Sequence, residues 1–236
     1  MAETPHHAHL VALLFLGSMF VVFVCVLVAI VAAISQASRV AKLAAGGAFL
    51  TATGYAALLF TVAFVSSDKT LPAGGWKYFC EADCHIAYTI DNVQTASTLG
   101  PEAKPISAQG RFVVVRVKTW FDEHSIAPFR GNSPLIPDSR TVQLVDGRGR
   151  YYFPLPQAGA VLRSDSTPLT EPLRPGETYV SSFVFDLPAD SRDARLLIAD
   201  VDPVSRLLID HENSPLHGKI YLALPANQSA AASTLP

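Results

Sequence analysis

TVQLVDGRGRYYFPL, residues 141–155, decides the fold of most of this chain. Val, Leu, Tyr and Phe stand on both sides of Asp146–Gly147, and these residues suit a half-buried pleated surface. Asp-Gly accepts the positive φ that a tight turn between two strands requires. The stretch therefore reads as a β-hairpin.

Working outward, the same two-residue alternation recurs at 87–95, 111–121, 178–188, 194–200, 205–210 and 219–224. Each run is short and bounded by Gly, Pro, Asp or Asn, the punctuation of strands. LRPGE reads as a Pro-Gly turn leading into the strand near Tyr179. No amphipathic helix of useful length interrupts the series. Residues 87–225 are thus expected to form an all-β antiparallel sandwich of the immunoglobulin-like kind, with a closed barrel as the alternative.

The N-terminal quarter differs in kind. Residues 1–75 carry only Arg39, Lys42, Lys69, Glu3 and Asp68, whereas the rest carries fifteen bases and eighteen acids. Leu10–Ile34 and Leu43–Val65 contain no charge at all. About 20 apolar residues in a helix cross a ~30 Å hydrocarbon core, so each run is long enough to span. The first run is too long for a signal peptide's apolar region and lacks a basic flank. A helical hairpin is expected, with segments 10–34 and 43–65 joined by SQASRVAK. Arg39 and Lys42 put that link in the cytoplasm. The tail 1–9 and everything after the linker 66–86 then lie on the extracytoplasmic side. The last residues, 226–236, are small and polar and are expected to be disordered.

Ala44, Ala48, Ala52 and Ala56 recur every four positions in the second run, with Gly47, Thr51 and Gly54 beside them. Small side chains let helices approach closely in lipid. This stripe is expected either to pack on the first span or to dock into a larger membrane complex. Neither run holds an ionisable group other than Cys25, which argues against transport.

A resemblance accompanies the β-region. Leu144, Asp146, Gly149 and Tyr152 form one motif; Leu173, Pro175, Gly176 and Glu177 form a second; Phe185, Asp186, Leu187 and Pro188 form a third. Over residues 110–200 the chain resembles the uncharacterised immunoglobulin-like extracytoplasmic domains of bacterial lipoproteins and membrane proteins. That resemblance implies a bacterial extracytoplasmic accessory or ligand-binding module; with the helical hairpin, which lies outside the resemblance, the expectation is a two-pass protein of the bacterial cytoplasmic membrane with a periplasmic domain. The resemblance supplies no catalytic residues.

Cys80, Cys84 and His85, in FCEADCH, are the sharpest chemical feature. Outside the cytoplasm two nearby thiols tend to oxidise, so a disulfide is the first expectation. Two thiolates with an imidazole are also a soft donor set for copper or zinc, which His6, His7 or His9 of the tail could complete. Covalent haem normally needs C-x-x-C-H, one residue shorter than this spacing. Two spans, a β-domain and C-x-x-x-C also resemble the subunit that carries the binuclear copper centre of haem–copper oxidases. In that family the pair comes late with a following His and Met, whereas here it comes first and the β-domain has no Met.

The segment 121–140 is a long loop in which Phe129 and Arg130 suit a contact anchor. Asp200, Asp202 and Asp210 could gather calcium, but they read better as polar turn residues because hard-ion sites need six or more oxygens, and His211 and His217 read as surface histidines. No catalytic signature such as G-x-S-x-G or H-E-x-x-H occurs. Residues 76–236 carry a formal charge of −3 with no basic run, which gives no reason for nucleic-acid binding. The expectation is a non-enzymatic accessory subunit in contact with membrane lipid. It would dock to other integral membrane subunits, as in a respiratory or photosynthetic complex, or bind a protein partner. No cofactor or small-molecule substrate is indicated, copper being the alternative.

Overall fold

The computed structural model describes residues 8–79, 85–101, 105–127, 129–159 and 166–225. The chain divides into two compact units, one helical and one of β-structure.

The helical unit holds α1 (Ala8–Ile34) and α2 (Ser38–Val65), together with the later segment Asp202–Lys219. Both helices are long and apolar enough to cross a membrane. Apart from Ala12, the half-buried and buried positions of α1 are Val11, Phe15, Ser18, Val22, Cys25, Ala29 and Ala32. Their alternating spacing of four and three is the seam of an antiparallel helix pair. Phe15 meets Tyr55 at 6.1 Å between ring centres. Any Cβ on Gly47 would stand 3.4 Å from Cys25 Sγ, so the small residue sets the spacing there. Ala48 is buried and Ala44 and Ala56 are half-buried, but Ala52 faces outward. A strict four-residue repeat walks around a helix of ~3.6 residues per turn by about 40° per step, so it cannot stay on one seam.

The link between the helices is tighter than expected. α2 begins at Ser38, not Leu43, so Arg39 and Lys42 belong to its first turns. Gln36 takes a positive φ of 57°, and Ala37 N–H returns to the carbonyl of Ala32. This closes the end of α1 in the manner that satisfies its last carbonyls.

The β-unit is a sandwich of two sheets. Strands β1 (Lys69–Leu71), β5 (Arg140–Val145), β6 (Tyr151–Tyr152), β8 (Arg195–Asp200) and β9 (Ile220–Ala223) form one, ordered β1-β9-β8-β5-β6. β2 (Lys77–Phe79), β3 (Ile86–Leu99), β4 (Ile106–Phe121) and β7 (Thr178–Leu187) form the other in that order. All pairings are antiparallel except β1 with β9. Alternate residues of facing strands build the core: Ile86, Tyr88, Val113, Val115, Val117 and Phe185 against Val142, Leu144, Leu196, Ile198 and Leu222. The opposite register of β4, Phe112 and Val114, packs with Ala96, Val184 and Ala158 under a single helical turn at Pro156–Gly159.

Two expectations need correction. Residues 66–86 are more than a linker, because β1 and β2 arise within them. Residues 205–210 are not a strand; Pro203–Leu207 is a 3₁₀ turn. Asp202 accepts Val204 N–H at 2.9 Å, and Pro203 opens the turn with φ already preset. A side-chain cap and a proline outweigh the strand preference of RLLI there.

Candidate functional site

One end of the second sheet gathers most of the unusual side chains. Phe79 closes β2 and pairs with Ile86, which opens β3 and pairs in turn with Phe121, the last residue of β4. The chain then turns off the sheet, held by Asp122 N–H donating to the His85 carbonyl at 2.9 Å.

Asp122 is the hub of this corner and is buried. Its Oδ2 accepts from the Tyr78 hydroxyl at 2.7 Å and its Oδ1 from His124 N–H at 2.9 Å. His124 Nδ1 stands 3.1 Å from the same Oδ1. Burial alone pushes the carboxyl upward, but the Tyr78 and His124 bonds outweigh it and hold Asp122 below the usual carboxylate range. Burial, then the bond to Asp122 and its negative charge, push the Tyr78 phenol well above its ordinary value.

Ser125 Oγ donates to the Asp122 carbonyl at 2.9 Å and lies 2.7 Å from His85 Nδ1. A hydroxyl has one proton, so Nδ1 of His85 is the donor to Ser125 Oγ. The His85 ring is buried and stacks on Phe121 at 5.7 Å with planes 14° apart. Arg130 places its guanidinium 4.8 Å from the Phe121 ring centre and donates to the carbonyl of Ser133. Trp120 adjoins both Trp76, at 5.2 Å, and His124, at 6.4 Å. Against this ordered background Phe129 is 91% exposed.

Asp122, Glu123 and His124 bring three donor atoms within 4.8 Å of one another. Both oxygens of Asp122 already accept hydrogen bonds, so the group is a loop anchor and its remaining donors face solvent. The corner fixes the loop and holds out one aromatic ring.

A second concentration lies across the core. Lys77 is buried and spans the two sheets, donating to the carbonyls of Ile198 at 2.6 Å and Ile220 at 2.8 Å. Its ammonium lies 5.0 Å from the Phe79 ring centre, and Arg140 lies 4.5 Å from the same ring. Arg140 pairs with Asp200 at 3.1 Å, and its side chain is 1% exposed. Arg140 also lines an open groove of about 570 Å³ together with Thr167, Leu169 and Ser181.

The residues singled out from sequence are distributed unevenly. His85, Phe129 and Arg130 share the corner. Cys80, Cys84, His6 and His7 lie outside the described residues, and His9 is the second residue of α1. Asp200 pairs with Arg140, Asp202 caps a turn, and Asp210 faces His217 at 3.3 Å. His211 Nδ1 accepts the N–H of Asn213. Tyr78, Asp122, Lys77 and Arg140 were missed. A Lys in the alternation KYF and an acid directly after the strand run 111–121 are the signals available.

The acidic motif residues behind the family resemblance hold turns and strand ends. Asp146 accepts from Arg148 N–H, Arg150 N–H, Arg150 Nε and the Tyr152 hydroxyl, closing the β5–β6 hairpin. Glu177 accepts Arg174 N–H across a turn in which Gly176 takes a φ of 83°. Asp186 accepts Gln109 N–H and Gly110 N–H at the start of β4.

No family model matches the chain, and no curated protein is similar to it. Three solved bacterial structures share part of its shape. The secreted protein MPT63 of Mycobacterium tuberculosis is 11% identical, covering 66% of this chain and 97% of its own, with a TM-score of 0.42. The yjhA protein of Bacillus subtilis is 13% identical, covering 62% and 95%, with a TM-score of 0.39. A conserved hypothetical protein of Bacillus anthracis is 18% identical, covering 52% and 85%, with a TM-score of 0.38.

Proposed function

We propose that this chain is a non-catalytic accessory protein that is anchored in a membrane and binds a protein partner through its β-sandwich. On this reading α1 and α2 span the bacterial cytoplasmic membrane with Arg39 and Lys42 on the inner side. The sandwich, immunoglobulin-like in character, stands outside. The apolar residues that the helix pair leaves uncovered, among them Leu13, Phe20, Phe23, Phe49 and Leu50, support the anchor. They suit acyl chains and would be a liability in water.

Phe129 carries the partner-binding reading. A phenyl ring 91% exposed, on a loop whose base is fixed by Asp122, Ser125 and Arg130, is a rigid aromatic anchor of the kind that dominates interfaces. Phe129→Ala tests it. In mild detergent the intact protein is expected to migrate within a larger complex and the variant alone, with unchanged thermal stability. Retention of the variant in the complex would sink the role of the loop.

A further inference from the structure

Successive residues of β3 and β4 point to opposite faces of their sheet. Val113, Val115 and Val117 of β4 enter the core between the sheets, so Val114, Arg116, Lys118 and Trp120 stand on the outward face. On β3, Tyr88 and Ile90 enter the core, so Ala87 and Thr89 stand outward. The ladder then shifts register between Ile90 and Asn92. Such a bulge re-aims side chains. Beyond it Val93 returns to the core, and Asn92 is placed opposite Arg116 on the outward face.

The two ends of that face are apolar. At one end Ala96, Phe112, Val114 and Val184 are buried together with Ala158. At the other, Tyr78 and Trp120 stand on either side of Ala87, and Trp76 meets Trp120 at 5.2 Å. Both indoles are half-buried. Between the ends runs a polar band formed by Thr89, Asn92, Arg116 and Lys118.

This band is not satisfied from within the protein. Thr89 is 6% exposed, and its Oγ1 is buried with no hydrogen-bond partner. Asn92 Oδ1 and Arg116 Nε are in the same state. Among the described residues neither Arg116 nor Lys118 forms an ion pair. A buried polar atom without a partner is costly, and here three such atoms belong to one face.

The donor set defines what fits. Arg116 and Lys118 only donate, Asn92 Oδ1 only accepts, and the Thr89 hydroxyl does both. A small inorganic anion would leave Asn92 Oδ1 unmatched and use neither indole. An added peptide strand needs a free sheet edge, and β3 and β4 are each paired on both sides. A sugar ring with a carboxylate offers all the complements. Its hydroxyls donate and accept, its charge suits the two cations, and its C–H face suits an indole.

We infer that the outward face of β3 and β4 is a glycan-binding site for an acidic sugar, a hexuronate unit. Its carboxylate lies on Arg116 and Lys118, its hydroxyls on Thr89 and Asn92, and its C–H face against the Trp76–Trp120 pair. The inference uses neither the membrane spans nor Phe129.

Trp76 and Trp120 are the two tryptophans of the chain, so indole emission reports on this face directly. The intact protein in detergent micelles is titrated with trigalacturonic acid, a hyaluronan tetrasaccharide, the methyl ester of each, and inorganic phosphate. A saturable change in emission is expected with at least one of the two acids, and a far weaker response to its ester and to phosphate. Arg116→Gln and Lys118→Gln are each expected to weaken binding about ten-fold or more. Thr89→Val removes a hydroxyl that has no partner in the protein. It is expected to weaken binding while leaving the melting temperature unchanged or raised. No saturable response to either acid overturns the inference. An equal response to phosphate reduces the site to an anion contact, and an equal response to the ester removes the carboxylate; either result overturns it. Undiminished binding by Thr89→Val and Arg116→Gln places the sugar elsewhere and overturns it too.

Discussion

Tyr78 and Asp122 are joined by a hydrogen bond of 2.7 Å between phenol and carboxylate, and this bond holds the base of the loop that presents Phe129. Tyr78→Phe leaves a buried carboxylate short of one donor, which costs about 1–3 kcal/mol. The effect depends on pH with a definite sign. Asp122 is held below its unfolded value, so its contribution is present above the ordinary carboxylate pKa of ~3.9 and is lost as pH falls through the folded value. The gap between parent and variant in urea denaturation is therefore expected at pH 7 and to shrink below about pH 4. Tyr78 is raised, so the parent fold also weakens as pH climbs past the ordinary phenol value of ~10. An equal gap at all pH values would remove the bond from the account.

The Asp146 hub predicts a second acid-sensitive point. Its carboxyl is held at about 2: burial pushes it up, and the backbone and side chain of Arg150, then Arg148 N–H and Tyr152, pull it down. The stability it supplies is present above the unfolded carboxylate value and is lost as pH falls from ~4 toward 2. Asp146→Asn removes the charge and keeps the shape. It is expected to lower the melting temperature at pH 7 and to speed amide exchange in β5 and β6 before other strands.

Gly218 has no room for a side chain. A Cβ there would lie 2.3 Å from the carbonyl carbon of Ser67 and 2.7 Å from Asp68 N. Gly218→Ala is expected to cost on the order of 1–3 kcal/mol, because backbone on the far side must move. Faster proteolysis between 203 and 217, with the strands still protected, would show that the loss is local. Unchanged cleavage would mean that this contact with Ser67 and Asp68 is not what holds the segment.

Copper content separates the accessory reading from a metal-carrying one. The purified chain is expected to hold far less than one equivalent of copper and to show no visible band with or without reductant. One equivalent, lost on Cys80→Ser, would overturn the accessory reading.

What could be read from sequence follows what is local. Hydrocarbon-length runs without charge and the Asp146–Gly147 turn each announce their element within a few residues, and both helices and the β5–β6 hairpin are found in those places. The 3₁₀ turn at Pro203–Leu207 was misread, because RLLI alternates no worse than a strand and the deciding cap is one aspartate upstream. β1 escaped notice since three residues make no pattern, and its partner β9 lies about 150 residues away and runs parallel. The corner was half legible. Phe129 and Arg130 stood out by residue type, but the hub Asp122 depends on Tyr78 and Ser125, which meet it only after β2 and β4 are aligned. In sequence Lys77 is only a base within KYF, and the crossing of two sheets is what makes it a buried donor to Ile198 and Ile220.

The orientation of the chain in a membrane is tested most directly by labelling with an impermeant maleimide in intact spheroplasts. Ser38→Cys places a thiol at the hairpin tip and Ser139→Cys one on the exposed loop before β5, each compared with the parent that carries Cys25, Cys80 and Cys84. The account predicts added label at 139 without permeabilisation and at 38 only after it. Added label at 38 in intact spheroplasts, with 139 protected until the membrane is opened, would contradict it.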